Sequence, residues 1–351
     1  NHRRLHRRQL RARVRRAGSI SEGLGMTIQS PFVWFGGKKK VAHLVWEALG
    51  NVEHYVEPFF GSGAVLLRRP HAANCETVND ADGLLSNFWR AVRADPGAVA
   101  YHAANPVNEA DLHARHLWLV NAKAGLTDKL MADPEHFDAK SAGWWVWGVN
   151  SWIGGGFCSG DGPWRNINGV FSKGDTGQGV KRQLPHLGST GQGVNRQLPH
   201  LGDREIFLNG WFGQLSERLH GVRVACGDWS RVCGPSVLRS AGGITGVFLD
   251  PPYSRDMRTD VYANESDCAA DVLQWCMENG TDKNLRIVLA GYDGEHNKLT
   301  SQGWRQVEWR AAGGYGGGKG GRGDDNASKE RLWLSPHCFG VAPKQQGAFD
   351  L

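Results

Sequence analysis

Asp250-Pro251-Pro252-Tyr253 follows the apolar run Gly246-Val247-Phe248-Leu249, and its residue types suit methylation of an aromatic amine. Such an amine has its lone pair drawn into the ring and is a poor nucleophile. Asp250 and the Pro251 carbonyl can both accept its hydrogens, pulling the nitrogen toward tetrahedral geometry and aiming the lone pair at the methyl group. Pro252 removes one amide donor and stiffens the turn. Tyr253 offers a ring face on which a base can stack. A structural turn can also read D-P-P-Y, so the tetrapeptide needs company before it is taken as a site.

Two further segments supply it. Glu57-Pro58-Phe59-Phe60-Gly61-Ser62-Gly63 ends the apolar run that starts at His54, and glycines there let the backbone approach a ligand. A G-x-G alone recurs in many α/β proteins. Asp80 closes the next apolar stretch, where an acid can hydrogen-bond the two hydroxyls of a ribose, which points to an adenosine-bearing cofactor. Trp34-Phe35-Gly36-Gly37-Lys38 reads by itself as a turn before a helix, with Lys38 in solvent.

The elements that must position these residues are legible in places. Val41, Leu44, Val45, Ala48 and Leu49 recur at helical spacing, and Leu84, Leu85, Phe88, Trp89 and Val92 share a face until Asp95-Pro96-Gly97 stops them. Ala64 to Leu67 reads as a helix start after the glycine turn. Short strands are predicted at 54–57, 77–80, 222–225, 246–249 and 285–290, with a helical stretch around Val272, Leu273 and Cys276. Strands alternating with helices predict a parallel α/β sheet, whose ligands sit outside the carboxyl ends of its strands. Asp250 and the glycine turn should therefore line one crevice. Residues 98–220 resist organisation. They hold Trp144, Trp145, Trp147, Trp152 and Trp164 among many glycines, then a tandem repeat from Thr176 to Gly202 that reads as a duplicated surface loop.

Composition bounds the rest. The 351 residues carry 22% charged and 40% hydrophobic residues, as in an ordinary globular protein, and no run approaches a membrane span. The formal charge of +6 belongs to the first 25 residues, whose eight arginines face one glutamate; the remainder holds 33 basic and 34 acidic residues. Residues 1–25 read as a disordered basic arm or a non-native extension, since they have little to bury and Met26 follows them. Seven scattered cysteines without a C-x-x-C argue for reduced thiols in the cytoplasm and against a metal site.

The three segments in this order resemble the Dam-type (D12 class) DNA adenine methyltransferases, which carry W-x-G-G-K, F-x-G-x-G and D-P-P-Y. Trp34 to Lys38, Phe59 to Gly63 and Asp250 to Tyr253 match without departure. The resemblance implies a class I S-adenosylmethionine-dependent methyltransferase: a Rossmann-like, mostly parallel seven-stranded sheet with an inserted target-recognition region. It divides the chain into catalytic segments at 26–97 and 221–340, an insert at 98–220 and a tail at 341–351. Carried across, it implies that Trp34, Gly37 and Lys38 meet the methionine end of S-adenosylmethionine, Lys38 pairing with its carboxylate. Glu57, Phe59, Gly61 and Gly63 would line the methionine and adenosine, Asp80 would hold the ribose, and Asp228, on a looser match, the adenine. Asp250, Pro251, Pro252 and Tyr253 would grip the target base.

The implied partner is double-stranded DNA, with the target base flipped out of the stack at a cost of a few kcal/mol. Lys181, Arg182 and Arg196 in the repeat, and Lys319 and Arg322 in the glycine-rich segment 313–323, are candidate phosphate contacts, though each reads equally as a solvated surface charge. No metal is expected; a monomer is compatible with the sequence, which leaves the oligomeric state open. Cytosine-N4 methylation, an RNA base amine as substrate, and a non-catalytic DNA-binding protein on the same fold are the alternatives. Asp rather than Ser at 250 and the retained glycines weigh against them.

Overall fold

The structure, a computed structural model, describes residues 28–32, 34, 37–72, 74–152, 157–158, 164–167, 170–173, 201–252, 268–309 and 330–341. Tyr253, the basic candidates Lys181, Arg182, Arg196, Lys319 and Arg322, the N-terminal 25 residues and nearly all of the repeat lie outside them.

In chain order the strands are β1 (His54–Glu57), β2 (Cys75–Asp80), β3 (Trp164–Ile167), β4 (Val170–Lys173), β5 (Val222–Cys226), β6 (Thr245–Leu249), β7 (Leu285–Tyr292), β8 (Arg305–Glu308) and β9 (Glu330–Leu334). The helices are α1 (Ala42–Leu49), α2 (Gly83–Ala94), α3 (Pro96–Ala103), α4 (Glu109–Ala132), α5 (Ala139–Ser151), α6 (Leu201–Leu219), α7 (Pro235–Leu238) and α8 (Cys268–Asn279). Seven strands form one mostly parallel sheet, and β3 and β4 make a separate antiparallel pair. The chain divides into two compact units. One, here the sheet unit, comprises residues 35–79 and 228–351. The other, the helical unit, comprises 1–34 and 80–227.

Within the sheet unit the strand order is β2-β1-β6-β7-β9-β8. β1 pairs parallel with β2 and β6, and β6 with β7, placing Val56 opposite Thr77 and Val247, and Val247 opposite Ile287. Strands covered on both faces read as continuous apolar runs, and Thr245–Leu249 is buried throughout. β9 reverses the direction: it runs antiparallel to both β7 and β8, with Leu289 opposite Trp333. The buried polar residue His54 is accommodated by a 2.9 Å hydrogen bond between its Nε2 and Thr77 Oγ1.

The helix expected from Ala64 does not form. A single 3-10 turn, Leu66–Arg68, stands there, and Arg69 leaves it at φ −57°, ψ 119°. Pro70 is the reason: the residue before a proline is pushed out of the α region.

The helical unit begins where Asp82 caps α2, accepting from Leu84 N at 2.8 Å and Leu85 N at 3.2 Å. α2 ends at Ala94, and Asp95 then caps α3, whose first residue is Pro96. Much of the segment that resists reading from sequence is helical. The core is aromatic: Phe32 meets Trp145 at 5.1 Å and Phe88 at 5.5 Å, and Phe88 meets Phe212 at 6.0 Å. Trp145, Trp147 and Trp152 are buried, so these three tryptophans are core rather than exposed stacking surface.

Gly143 lets α5 approach α3. A Cβ there would stand 2.4 Å from His102 Cβ and 2.7 Å from the Val99 carbonyl oxygen. Gly143→Ala should therefore destabilise the protein by about 1–3 kcal/mol, as overpacking does. Gly210→Ala in α6 meets nothing within 4 Å and should stabilise by up to about 1 kcal/mol through helix propensity. Denaturant unfolding of the two variants beside the parent checks the contrast.

Candidate active site

β1, β6 and β7 run parallel, so Glu57, Asp250 and Tyr292 emerge at one edge of the sheet unit. β9 runs the other way, and its first residue, Glu330, lies opposite Tyr292 at that same edge. The chain after Glu57 turns back tightly. Phe60 N donates to the Asn79 carbonyl at 2.9 Å, Asn79 Nδ2 to the Pro58 carbonyl at 3.1 Å, and Gly63 N to the Phe60 carbonyl at 2.9 Å. Gly61 and Gly63 have φ of +48° and +67°, and a Cβ on Gly63 would meet the Phe60 ring at 2.8 Å, so glycine is required at 63 for both reasons.

Phe59 is half-buried beside Trp229, their rings near parallel with centroids 6.2 Å apart. Asp228 caps the short turn Trp229–Val232, its carboxylate accepting from Ser230 N at 2.9 Å and from the Ser230 hydroxyl. The glycine turn, Asp228, Asp250 and Pro251-Pro252 thus all belong to the sheet unit.

One ammonium organises the charges. Lys38 is 4% exposed, with Nζ 2.9 Å from Asp250 Oδ1 and 3.9 Å from Glu330 Oε2. The Trp309 ring centroid is 5.9 Å away, at the outer limit of a cation–π contact. Burial opposes the charge on Lys38, but Asp250, and then Glu330, outweigh it and hold its pKa above the ordinary lysine value. Glu57 is buried and accepts the Tyr55 hydroxyl at 2.9 Å. Burial pushes its carboxyl well above the usual range; the Tyr55 hydrogen bond pulls against this and the nearby Asp250 charge adds to it.

The remaining expected residues fall as follows. Gly37 is exposed beside Lys38. Asp80 and Trp34 belong to the helical unit. Asp80 accepts from Asp82 N at 2.9 Å, and the Trp34 ring lies 5.9 Å from those of Phe32 and Trp145. Glu330 and Trp309 were not anticipated. The apolar run Leu332-Trp333-Leu334 is the signal that could have flagged β9, and with it the acid at its head. Among the described residues, no group of three or more His, Cys, Asp or Glu could hold a metal ion, and no helix is long and apolar enough to cross a membrane.

A mixed α/β fold with a mostly parallel seven-stranded sheet is consistent with a methyltransferase. Residues 34–135 match the model of the D12 class N6 adenine-specific DNA methyltransferase family. This bears out the resemblance drawn from the motifs: the matched span holds Trp34 to Lys38, the glycine turn and Asp80, and ends before Asp250. The match indicates a DNA methyltransferase of the adenine-N6 class. No curated protein matches the chain.

The Glu57 shift has a consequence for stability. A carboxyl whose pKa is raised on folding binds more protons in the native state over the interval between its unfolded and folded values. Its contribution is thus present at low pH and is lost as pH rises from about 4.5, the ordinary value for a glutamate, toward the raised folded value. Glu57→Gln, which mimics the protonated side chain, should remove that decline. Unfolding free energies at pH 5 and pH 8 should differ less in the variant than in the parent.

Proposed function

We propose that the protein transfers a methyl group from S-adenosylmethionine to the N6 amino group of adenine in double-stranded DNA, the target base being flipped out of the helix. The reading is carried by the position of Asp250, at the carboxyl edge of β6 in the unit that also holds the glycine turn. The family match adds adenine as the base.

The residues present suit the cofactor. Asp250 and Glu330 stand against the single ammonium of Lys38, an excess of one carboxylate that favours a cationic ligand. The half-buried Phe59, beside Trp229, supplies apolar surface, and the glycine turn keeps backbone clear of side chains. Within the sheet unit, Lys38, Gly37, Glu57, Phe59, Gly61, Gly63 and Asp228 are the residues that would hold it. S-adenosylmethionine, when bound, supplies an electrophilic methyl group on a sulfonium.

The protein's own part is to make the amine nucleophilic. The Asp250 carboxylate and the Pro251 carbonyl accept the two amine hydrogens, which draws the lone pair out of the ring. The carboxylate then faces a nitrogen that gains positive charge as the N–C bond forms and the methyl–sulfur bond breaks, so it is worth more in the transition state than before it. The methylated nitrogen then releases one proton to solvent. Tyr253 stacks on the base.

Contacts to DNA are assigned to the helical unit. Trp118 and Tyr101 are exposed there, and Lys140 Nζ lies 4.7 Å and 4.4 Å from the centroids of Trp118 and Trp144. An ammonium among partly exposed rings suits both a phosphate and an unstacked base.

Incubating the full chain with labelled S-adenosylmethionine and unmethylated DNA, then digesting to nucleosides for mass spectrometry, tests the reaction. N6-methyladenine should form, and Asp250→Ala should lower its rate about a hundredfold or more. Methylated cytosine instead would overturn the choice of base. A Trp118→Ala, Lys140→Ala double variant should bind duplex DNA about tenfold more weakly, with cofactor affinity unchanged, in filter binding at fixed salt. An unchanged DNA affinity would remove that surface from the proposal.

A further inference from the structure

The proposed function asks two things of neighbouring groups. Asp250 must present its charge to the amine, and Lys38 must present its own to the cofactor carboxylate. In the structure these two charges are spent on each other, with Lys38 Nζ 2.9 Å from Asp250 Oδ1. Asp250 is 20% exposed and Lys38 4%, so solvent screens the pair only weakly. A carboxylate neutralised at that distance has much less to offer a nitrogen that is becoming positive. The second acceptor, Glu330 Oε2 at 3.9 Å, gives the ammonium an anionic neighbour that is not part of the tetrapeptide. Lys38 can thus turn from Asp250 without leaving a buried cation unpaired, which would be costly.

We infer that Lys38 masks Asp250 in the cofactor-free protein and that the carboxylate of the cofactor competes with Asp250 for the Lys38 ammonium, so that cofactor binding unmasks the group that accepts the target amine. The inference rests on the proposed function. It makes Lys38 a positioning residue for Asp250 as well as a cofactor contact, and it gives Glu330 a part in the exchange. It also sets an order of events: the site is competent for the base only after the amino-acid end of the cofactor is seated.

Competition makes an unusual demand on affinity, and binding tests it without DNA or turnover. The probe is S-adenosylhomocysteine, which lacks the sulfonium charge and so removes direct attraction to Asp250. Calorimetry on the full chain should show Asp250→Asn binding it about tenfold more tightly than the parent, because the variant frees a charge-assisted partner for its carboxylate. Glu330→Gln, at the longer distance, should tighten binding less, about threefold. Both gains should vanish in a Lys38→Met background and with 5′-methylthioadenosine, which has no carboxylate. Thermal melts of each variant check the fold, and the two substitutions give independent readings should one of them unfold.

Unchanged or weaker binding in Asp250→Asn would overturn the inference while leaving the proposed function standing. So would a gain that persists without Lys38. If the parent bound neither S-adenosylhomocysteine nor 5′-methylthioadenosine, the proposed function itself would fall, and the inference with it.

Discussion

A charged lysine that is 4% exposed is tolerable only where anions stand against it, and Lys38 has two from different strands. Asp250 follows β6, which points its carboxyl end toward the site. Glu330 opens β9, which runs the opposite way and so brings its amino end to the same edge. Had β9 been parallel to β7, Glu330 would stand at the far edge and Lys38 would face Asp250 without it. The antiparallel turn at the end of an otherwise parallel order is thus a condition for burying the ammonium. The site and the topology are one arrangement.

Glu57 extends the same argument. It is buried at the end of β1 with the Tyr55 hydroxyl donating to it, and its carboxyl is pushed toward the protonated form. The backbone ends β1 and β6 side by side, so the Asp250 charge adds to the burial that disfavours a charged Glu57. Against Lys38 stand Asp250 and Glu330, an excess of one carboxylate that favours a cation.

Local patterns were readable from the sequence and long-range ones were not. The glycine turn announces itself because positive φ needs glycine at Gly61 and Gly63, and α2 because its apolar face and its Asp95-Pro96 stop are written within a dozen residues. The helix expected at Ala64 fails on Pro70, because the residue before a proline leaves the α region. β8 and β9 are not legible because the segment between them is rich in glycine and has no period, so nothing local ties Glu330 to Asp250. α4 is hard to read although Leu112, Leu119 and Leu126 recur every seventh residue, because the positions between them are too mixed to show a face. Lys38 is followed by Lys39 and Lys40, and all three look alike in sequence. Partners supplied from strands about 210 and 290 residues away decide that Lys38, rather than its two exposed neighbours, is buried.

The charge balance also bears on how a polyanion could use such a site. Outside its first 25 residues the chain is close to neutral, and at the sheet edge the carboxylates of Asp250 and Glu330 outnumber the Lys38 ammonium. A phosphate drawn toward Asp250 and Glu330 would meet repulsion, whereas an adenine ring carries no charge and brings two hydrogens for acceptors to take. On the proposed function, the electrostatics therefore sort the two halves of a nucleotide: the base is admitted and the backbone is held off. Extrusion of the base achieves that separation, because it lets the ring travel into the site while the phosphates stay with cationic groups elsewhere. The acidic cluster and the flipped base are then two sides of one requirement, and a site that bound the duplex backbone directly would have needed the opposite charge.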